Sequence, residues 1–336
     1  MCFNNLETKF SIKPITKSTG FLISGYQRIQ FDPEFLTACA LAQKGEAFIL
    51  NLYRQKKLLL AQPMIKRAIP GEGHLYDFIS PFEYGIVYCS PETKKSDWQI
   101  FARAKRQYCR FNSIVSEFYR YSPCNNNIPD EAECVDRHVY LDLEVEQTDL
   151  FANWNNSLRR AIKRSFRQEI ICRISSTDSD IDTFMTLYYN LMKRRQARNS
   201  YFFSLEYFKT LLQYCSNSWL LILESKSGLP IAGSIVVGCG DLYYHLLTAS
   251  DPKYLASRPN ERLIFELFCF CKRKKGGKKL MLGGGDTGVK NFKLRFSKLT
   301  LPYFVTRQVY SKKLYKAACN KKKVSVLSNF FPAYRI

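Results

Sequence analysis

The sequence predicts an α/β (α+β) protein built as two tandem halves, each a mixed, mostly antiparallel sheet flanked by helices. Three observations carry this. The chain has 336 residues, more than one ordinary core of about 150 residues accommodates. Its apolar residues fall in short blocks between Gly and Pro punctuation in some segments and at helical spacing in others. The order helix, run of adjacent strands, helix, strand is written twice, which a duplicated module explains most economically.

Asp32-Pro33-Glu34 opens the first helix: a capping carboxylate, a proline at the first position and an acid favoured by the helix dipole. That helix runs to about Gln43. Apolar runs at Ala47–Leu52, Leu58–Met64 and Tyr76–Ile79, broken by Pro70-Gly71 and Ser80-Pro81, read as successive strands. A helix over Asp97–Cys109 leads to an extended segment at Ser113–Arg120 and a strand at Arg137–Leu143. The acidic stretch Asp142–Asp149 marks the expected boundary, giving an N-terminal domain over 1–145 and a C-terminal domain over 146–336.

In the second half, Ile181, Phe184, Leu187, Tyr188, Leu191 and Met192 recur at helical spacing, as do Tyr207, Phe208, Leu211, Leu212 and Cys215. Strands follow at Trp219–Glu224, Ile231–Gly238 and Leu242–Thr248, with a turn at Lys226-Ser227-Gly228. Leu263, Ile264, Leu267, Phe268 and Cys271 mark a helix that Gly276-Gly277 ends before the strand Lys279–Leu282.

Composition narrows the function classes. With 46% hydrophobic and 15% aromatic residues the chain buries enough apolar surface to exclude disorder. No stretch approaches the roughly 18 apolar residues of a membrane span, and Met1–Lys13 lacks the apolar core of a secretory leader. The expectation is a soluble cytoplasmic protein, at most peripheral at the inner face of the membrane. The 12 cysteines are scattered from Cys2 to Cys319, which points to reduced thiols rather than disulfides. Cys269 and Cys271 face different sides of a helix, and the three histidines, His74, His138 and His245, form no cluster, so no metal is expected. The net charge of +22 predicts anionic partners: nucleic acid, an anionic membrane face, a pyrophosphate-linked lipid or a phosphorylated cofactor.

The residues discriminate further. Leu282-Gly283-Gly284-Gly285-Asp286 followed by Phe292-Lys293-Leu294-Arg295-Phe296-Ser297, with Met192–Ala197, Tyr201-Phe202-Phe203-Ser204, Ile231–Ser234, Tyr244-His245-Leu246 and Arg258-Pro259-Asn260, resembles the Fem-like and BioF-like families of GNAT acyltransferases. In the first half, Ile79–Gly85 resembles their Ser-Pro-Tyr-x-Tyr loop and Phe118-Tyr119-Arg120 their Arg-bearing strand. The resemblance spans roughly residues 45 to 310. Phe82 stands where that loop commonly has tyrosine, and the GNAT pyrophosphate loop is absent from Tyr254–Asn260. No heptad segment for a coiled-coil arm is present.

The resemblance implies two GNAT-like halves and transfer of an acyl or aminoacyl group to an amine or hydroxyl of a cell-envelope precursor, such as a lipid- or nucleotide-linked amino sugar or a peptidoglycan peptide. The donor is acyl-CoA or an aminoacyl-tRNA; tRNA and an anionic membrane are partners, and no stable protein partner is implied. Such transfer needs an acceptor that can lose a proton and a cation or donors where the carbonyl oxygen becomes negative, but no covalent nucleophile. Lys293 fits the cation, against its reading as a solvated surface lysine. Asp286 orients a substrate amine or caps a turn. His245, on the same strand face as Tyr243, is a proton acceptor or an ordinary strand histidine. Tyr84, Asp77, Arg120, Arg195, Tyr201, Tyr243 and Arg295 are the substrate-binding candidates, and Gly283, Gly284, Gly285 and Asn260 the donor-binding ones.

Three basic segments stand apart. The helix over 156–167 sets Arg159, Arg160, Lys163, Arg164 and Arg167 against an apolar face of Leu158, Ile162 and Phe166, and reads as a surface helix or as a contact for membrane, tRNA or lipid pyrophosphate. Lys272–Lys279 and Lys321–Lys323 are similar, the latter in a tail expected outside the fold. Two alternatives to an enzyme remain at this level: a basic nucleic-acid-binding protein and a non-catalytic membrane-docking scaffold.

Overall fold

The computed structural model describes residues 8–15 and 26–336; Cys2 and the first part of the Met1–Lys13 segment lie outside them. In chain order the elements are β1 (Thr8–Pro14), α1 (Pro33–Gln43), β2 (Gly45–Arg54), β3 (Lys57–Ile69), β4 (Glu72–Ile79), β5 (Tyr88–Cys89), α2 (Lys95–Phe111), β6 (Ile114–Arg120) and β7 (Glu133–Asp142). They continue with α3 (Gln147–Asn153), α4 (Asn156–Arg167), β8 (Ile171–Ser175), α5 (Asp178–Arg194), α6 (Leu205–Lys209), β9 (Ser218–Glu224), β10 (Pro230–Cys239) and β11 (Leu242–Ser250). The last are α7 (Pro259–Lys272), β12 (Lys279–Gly283), α8 (Thr287–Lys293), β13 (Thr300–Val309) and α9 (Lys312–Lys321). The expected cap of α1 is formed, with Asp32 Oδ1 accepting the Phe35 amide at 2.9 Å.

The mixed α/β class and the repeated element order hold, but the compact units are not the contiguous halves 1–145 and 146–336. One comprises residues 8–15, Leu36–Val135 and Tyr303–Ile336; the other, residues 26–35 and Asp136–Pro302. The reason is strand pairing at long range. β13 joins β6, with Val305 opposite Arg120, while β7 joins β12, with Leu280 opposite Leu141. Hydrogen-bonded ladders of this kind outweigh sequence proximity.

In the first unit the strands run β1-β2-β3-β4-β6-β13, with β5 against β3. Neighbours are antiparallel except β4 and β6, which are parallel and joined through α2. Parallel neighbours require such a crossover. Phe10, Leu50, Leu60, Phe78, Phe101 and Tyr119 fill its main core. A smaller core brings Tyr315 and Cys319 of α9 and Tyr334 onto Ile69 and Val115, so the C-terminal segment belongs to the fold rather than to a free tail.

In the second unit the order is β7-β12-β11-β10-β9-β8, antiparallel except for β11 and β12, which are parallel and joined through α7. α7 is apolar on most of its circumference and buries Ile264, Leu267 and Phe268 with Leu158 and Ile162 of α4 and with Trp154. Trp154 Nε1 donates to the Phe296 carbonyl at 2.7 Å, tying this layer to the segment after α8. α5, α6 and the segment just before α6 bring Phe184, Tyr188, Phe203 and Phe208 into a second aromatic cluster. Gly233 lets α5 approach β10: a Cβ there would lie 2.7 Å from the Phe184 ring.

Candidate acyl-transfer site

The second unit contains a cavity of about 840 Å³, within the range of small-molecule sites. Its origin lies in the backbone. β11 and β12 pair only over Leu242–Tyr244 and Lys279–Met281. Beyond that point β11 continues for six residues without a β12 partner in the ladder. β10 opposes Ile235 to Leu247 and Val236 to His245, so Leu246 is an extra residue, a β-bulge. The bulge resets the alternation of β11, and His245, Thr248 and Ser250 line the cavity while Leu247 is buried.

The other walls come from the end of α5 (Leu191, Met192, Arg195), Tyr201, the start of α7 (Asn260, Ile264), Gly285, and α8 with Val289, Phe292 and Lys293. The lining is mostly apolar with a few convergent polar groups. Lys293 Nζ donates to the Gly284 carbonyl at 2.6 Å, which fixes the ammonium at the glycine-rich end of β12. Gly283 has φ 80° and Gly285 φ 126°, so this strand end turns through conformations that disfavour a side chain. Asp286 Oδ1 accepts the Val289 amide at 2.8 Å and caps α8; its other oxygen is 4.0 Å from Arg195.

His245 faces the cavity with a buried Nε2 that has no hydrogen-bond partner. Burial, reinforced by the nearby positive charge of Lys293, pushes the imidazole down to about 3. The ring is therefore neutral across the physiological range, and its Nε2 is buried without a partner.

Residues 152–294 match the family model described as an acetyltransferase (GNAT) domain, and all of the cavity-lining residues fall within that span. Residues 152–294 are therefore a GNAT acetyltransferase-type domain. Among solved structures, FemX superposes with a TM-score of 0.62 at 11% identity, covering 86% of this chain and 96% of its own. A conserved protein of unknown function from Bacteroides thetaiotaomicron gives 0.56 at 10%, over 82% and 89%. The C-terminal domain of a candidate lysylphosphatidylglycerol synthetase from Agrobacterium fabrum gives 0.51 at 13%, over 77% and 85%. At these identities the likeness is one of fold. No curated protein sequence matches the chain.

Of the residues picked out in the sequence, the GNAT domain brings Lys293, His245, Asp286, Arg195, Tyr201, Gly285 and Asn260 to one cavity. Others lie elsewhere. Tyr243 shares the strand face of His245 but is buried under α7, with its ring 6.3 Å from that of Trp219. Arg295 pairs with Glu261 at 3.2 Å and borders a separate pocket. Gly283 stays in the ladder opposite Val139, and Gly284 contributes its carbonyl to Lys293.

The first-unit candidates are held by structural contacts. Asp77 is fully buried; its carboxylate accepts from Arg67 Nε at 2.8 Å, from the Tyr334 hydroxyl at 3.1 Å and from Arg335. Arg120 donates to Ser80 Oγ at 3.2 Å and to the Pro81 carbonyl at 3.4 Å, bracing the Ser80-Pro81 loop. Tyr84 is buried edge-on against Tyr303, with centroids 5.7 Å apart.

Sequence reasoning missed Thr248 and Ser250, whose orientation depends on the bulge. It also missed Leu191, Met192, Ile264 and Phe292 as cavity walls, since helical periodicity marks them only as buried. Among the described residues no His, Cys, Asp and Glu cluster is suited to a metal, and no helix is long and apolar enough to cross a membrane.

Proposed function

We propose that the chain transfers an acyl or aminoacyl group from a thioester or aminoacyl ester donor to an amine, or a hydroxyl, of a cell-envelope precursor such as a lipid- or nucleotide-linked amino sugar or a peptidoglycan peptide. The observation that carries this reading is the convergence of the Lys293 ammonium and the unpartnered neutral His245 imidazole on one largely apolar cavity. The likeness in fold to FemX and to a lysylphosphatidylglycerol synthetase domain supports the substrate class, as does the net charge of +22 for anionic, phosphate-bearing substrates.

The acceptor nitrogen attacks the donor carbonyl directly. As the C–N bond forms, the carbonyl oxygen gains negative charge beside Lys293, and the nitrogen becomes an acidic ammonium. The His245 imidazole, a weak base at rest, takes that proton once the oxyanion beside Lys293 offsets the positive charge that depresses it. Collapse expels the thiolate or ribose oxygen, which leaves with a proton, and the amide remains. Asn260 and Asp286 orient the partners. No cysteine lines the cavity, and burial pushes the Cys269 thiol in the neighbouring core up to about 11, so a thiolate nucleophile has no part in the scheme.

Incubation of the purified chain with labelled acyl-CoA or aminoacyl-tRNA and candidate amino-sugar or peptide acceptors, read by mass spectrometry, tests the proposal. Lys293→Ala is expected to lower kcat by roughly 10²- to 10³-fold, the usual effect of removing one oxyanion-stabilising group, with an unchanged circular dichroism spectrum. Undiminished turnover in that variant would sink the reading.

A further inference from the structure

We propose that the C-terminal segment of the first unit, α9 and the loop that follows it, is a docking surface for an anionic lipid bilayer. The loop over 325–330 supplies an apolar tip, and the lysines before it supply a cationic collar. The segment shares no residue with the cavity, so the inference goes beyond the acyl-transfer reading and does not rest on it.

The tip is the first observation. Val326, Leu327 and Phe330 are 44%, 87% and 37% exposed. A single exposed apolar side chain needs no explanation, but these three fall on one short loop, and Leu327 is the most exposed large hydrophobic residue among the described residues. Both ends of the loop are pinned. On one side Val324 packs into the smaller core, its amide donating to the Cys319 carbonyl at 3.1 Å. On the other, Phe331 stacks on Tyr315 with centroids 5.8 Å apart, and the Ala333 amide donates to the Tyr315 hydroxyl at 2.9 Å. Tyr334 and Arg335 then donate to the buried Asp77 carboxylate. Between these anchors the Ser325 and Ser328 hydroxyls accept the Leu327 and Phe330 amides, each at 3.1 Å. The loop is thus a shaped turn that holds alkyl surface in water.

Charge is the second observation. Residues 311–336 hold six lysines, one arginine and no Asp or Glu. Arg335 answers Asp77, and Lys321 answers Glu72 at the start of β4 at 3.0 Å. Among the described residues no carboxylate pairs with the other five, Lys312, Lys313, Lys316, Lys322 and Lys323, and all five are exposed. Folding does not account for their placement. Lys312 and Lys313 open α9, whose first turn has no acidic residue, and cations at the positive end of a helix dipole weaken the helix. An anionic headgroup layer does account for it, since each lysine brought near such a surface strengthens association about fivefold at low salt.

The combination selects a bilayer over nucleic acid. A nucleic-acid surface is built from stacking rings and guanidinium forks. Here the most exposed apolar group is a branched alkyl chain, the unpaired cations are lysine ammoniums, and the arginine is committed to Asp77. An alkyl tip gains by leaving water for the acyl boundary while lysine heads stay among the phosphates.

Co-sedimentation of the full chain with phosphatidylcholine vesicles, with and without phosphatidylglycerol, is the direct test. The parent is expected to bind the anionic vesicles alone, and more weakly as salt rises. Val326→Ser/Leu327→Ser is expected to weaken binding roughly tenfold or more, the worth of one buried apolar side chain, and Lys316→Gln/Lys322→Gln roughly 20-fold at low salt. Lys163→Gln/Arg167→Gln removes the same charge from α4 and is expected to bind close to the parent. All of these side chains are exposed, so the variants retain the parent's near-ultraviolet dichroism. Leu327→Trp adds a second readout: its emission shifts to the blue on anionic vesicles as the indole leaves water. No binding by the parent, undiminished binding in either α9-loop pair, or an unmoved emission in Leu327→Trp overturns the proposal. An equal loss in the α4 pair also overturns it, because net charge alone would then explain the attraction. If Lys316→Gln/Lys322→Gln weakens deacylated tRNA binding while vesicle binding stands, the surface is a nucleic-acid contact and the bilayer assignment falls. Vesicle binding is read without any transfer, so failure of the acyl-transfer reading leaves this surface standing.

Discussion

The two compact units contain the same supersecondary step, a strand, a crossover helix and a parallel strand, yet they finish it in opposite ways. In the first, β4 and β6 stay stitched together past their ends: the Ser80 amide reaches the Phe118 carbonyl, the Gly85 amide the Arg120 carbonyl at 2.7 Å, and the Ser122 amide the Gly85 carbonyl at 2.8 Å. The space beneath Gly85 is filled by Tyr119, whose ring would lie 2.3 Å from a Cβ there. In the second, β11 and β12 part after three residue pairs, a bulge re-aims β11, and a cavity opens. Charge follows the same division. Asp77 and Glu117 of the first unit are buried with partners, Glu117 with Lys105 at 2.8 Å and with Tyr310, whereas His245 of the second has a buried nitrogen with no partner. On the proposed reading one module is a sealed scaffold and the other holds the site, and the GNAT family match falls on the open one.

The comparison breaks most decisively at Asp77. If the first unit is scaffold, Asp77→Ala leaves Arg67 and Arg335 facing each other in a buried space and costs about 3–5 kcal/mol of stability, while kcat/KM per folded molecule stays at the parent value. Urea denaturation and transfer kinetics below the new midpoint measure the two effects. A kcat/KM loss that exceeds the unfolded fraction would return Asp77 to the acceptor site.

Within the second unit the strand end is probed at Gly284. A Cβ at this position would lie 2.6 Å from His138 Nε2 and 2.9 Å from an Asp136 carboxylate oxygen. His138 is buried, and burial pushes its imidazole down to about 4, so the ring has little freedom to retreat into water. Gly284→Ala is expected to cost about 1–3 kcal/mol by overpacking and to displace the carbonyl that holds Lys293, so that stability and turnover fall together. A stable variant with full activity would show that the strand end is not what positions the ammonium.

How far the sequence foretold this can be judged from particular residues. α4 was legible to its ends, because its apolar and basic faces separate cleanly at helical spacing and Asn155 caps it, accepting the Leu158 amide. The Asp32 cap and the strands β2–β4, β6, β7 and β9–β12 were legible for the same local reasons, while β1, β5 and β8 were not read. β13 was not, since its place beside β6 is fixed by partners nearly two hundred residues away. Nor was the fate of Asp77: a carboxylate on a strand looks the same in sequence whether a substrate or two arginines wait opposite. Lys293 and His245 were found as residues, but that Thr248 and Ser250 join His245 at one cavity depends on the Leu246 bulge, which strict alternation does not reveal. Arg295 was assigned to the wrong pocket because a motif orders residues along the chain and does not say to which side each points.

The smallest expected effect sharpens the contrast through pH. The His245 imidazole, held down to about 3 in the folded chain, takes up a proton near pH 6.5 once the chain unfolds. Its depressed value means that its contribution to stability is fully present above about pH 6.5 and is lost as pH falls toward 3. Because the ring is buried and dry, the loss between pH 8 and pH 5 is about 2 kcal/mol. His138 adds a loss of the same sign, so the His245 share is isolated by comparison: urea midpoints of the parent and of His245→Gln at pH 8, 6.5 and 5 should converge as the pH falls. Parallel curves would mean that the imidazole is solvated and able to charge. The same variant then reads the chemistry, because a neutral, dry imidazole sets no acid limb near pH 6.5 in kcat/KM, whereas a limb there that vanishes in His245→Gln would make the second unit's cavity as wet as a surface and erase the electrostatic difference between its open strand pair and the sealed one.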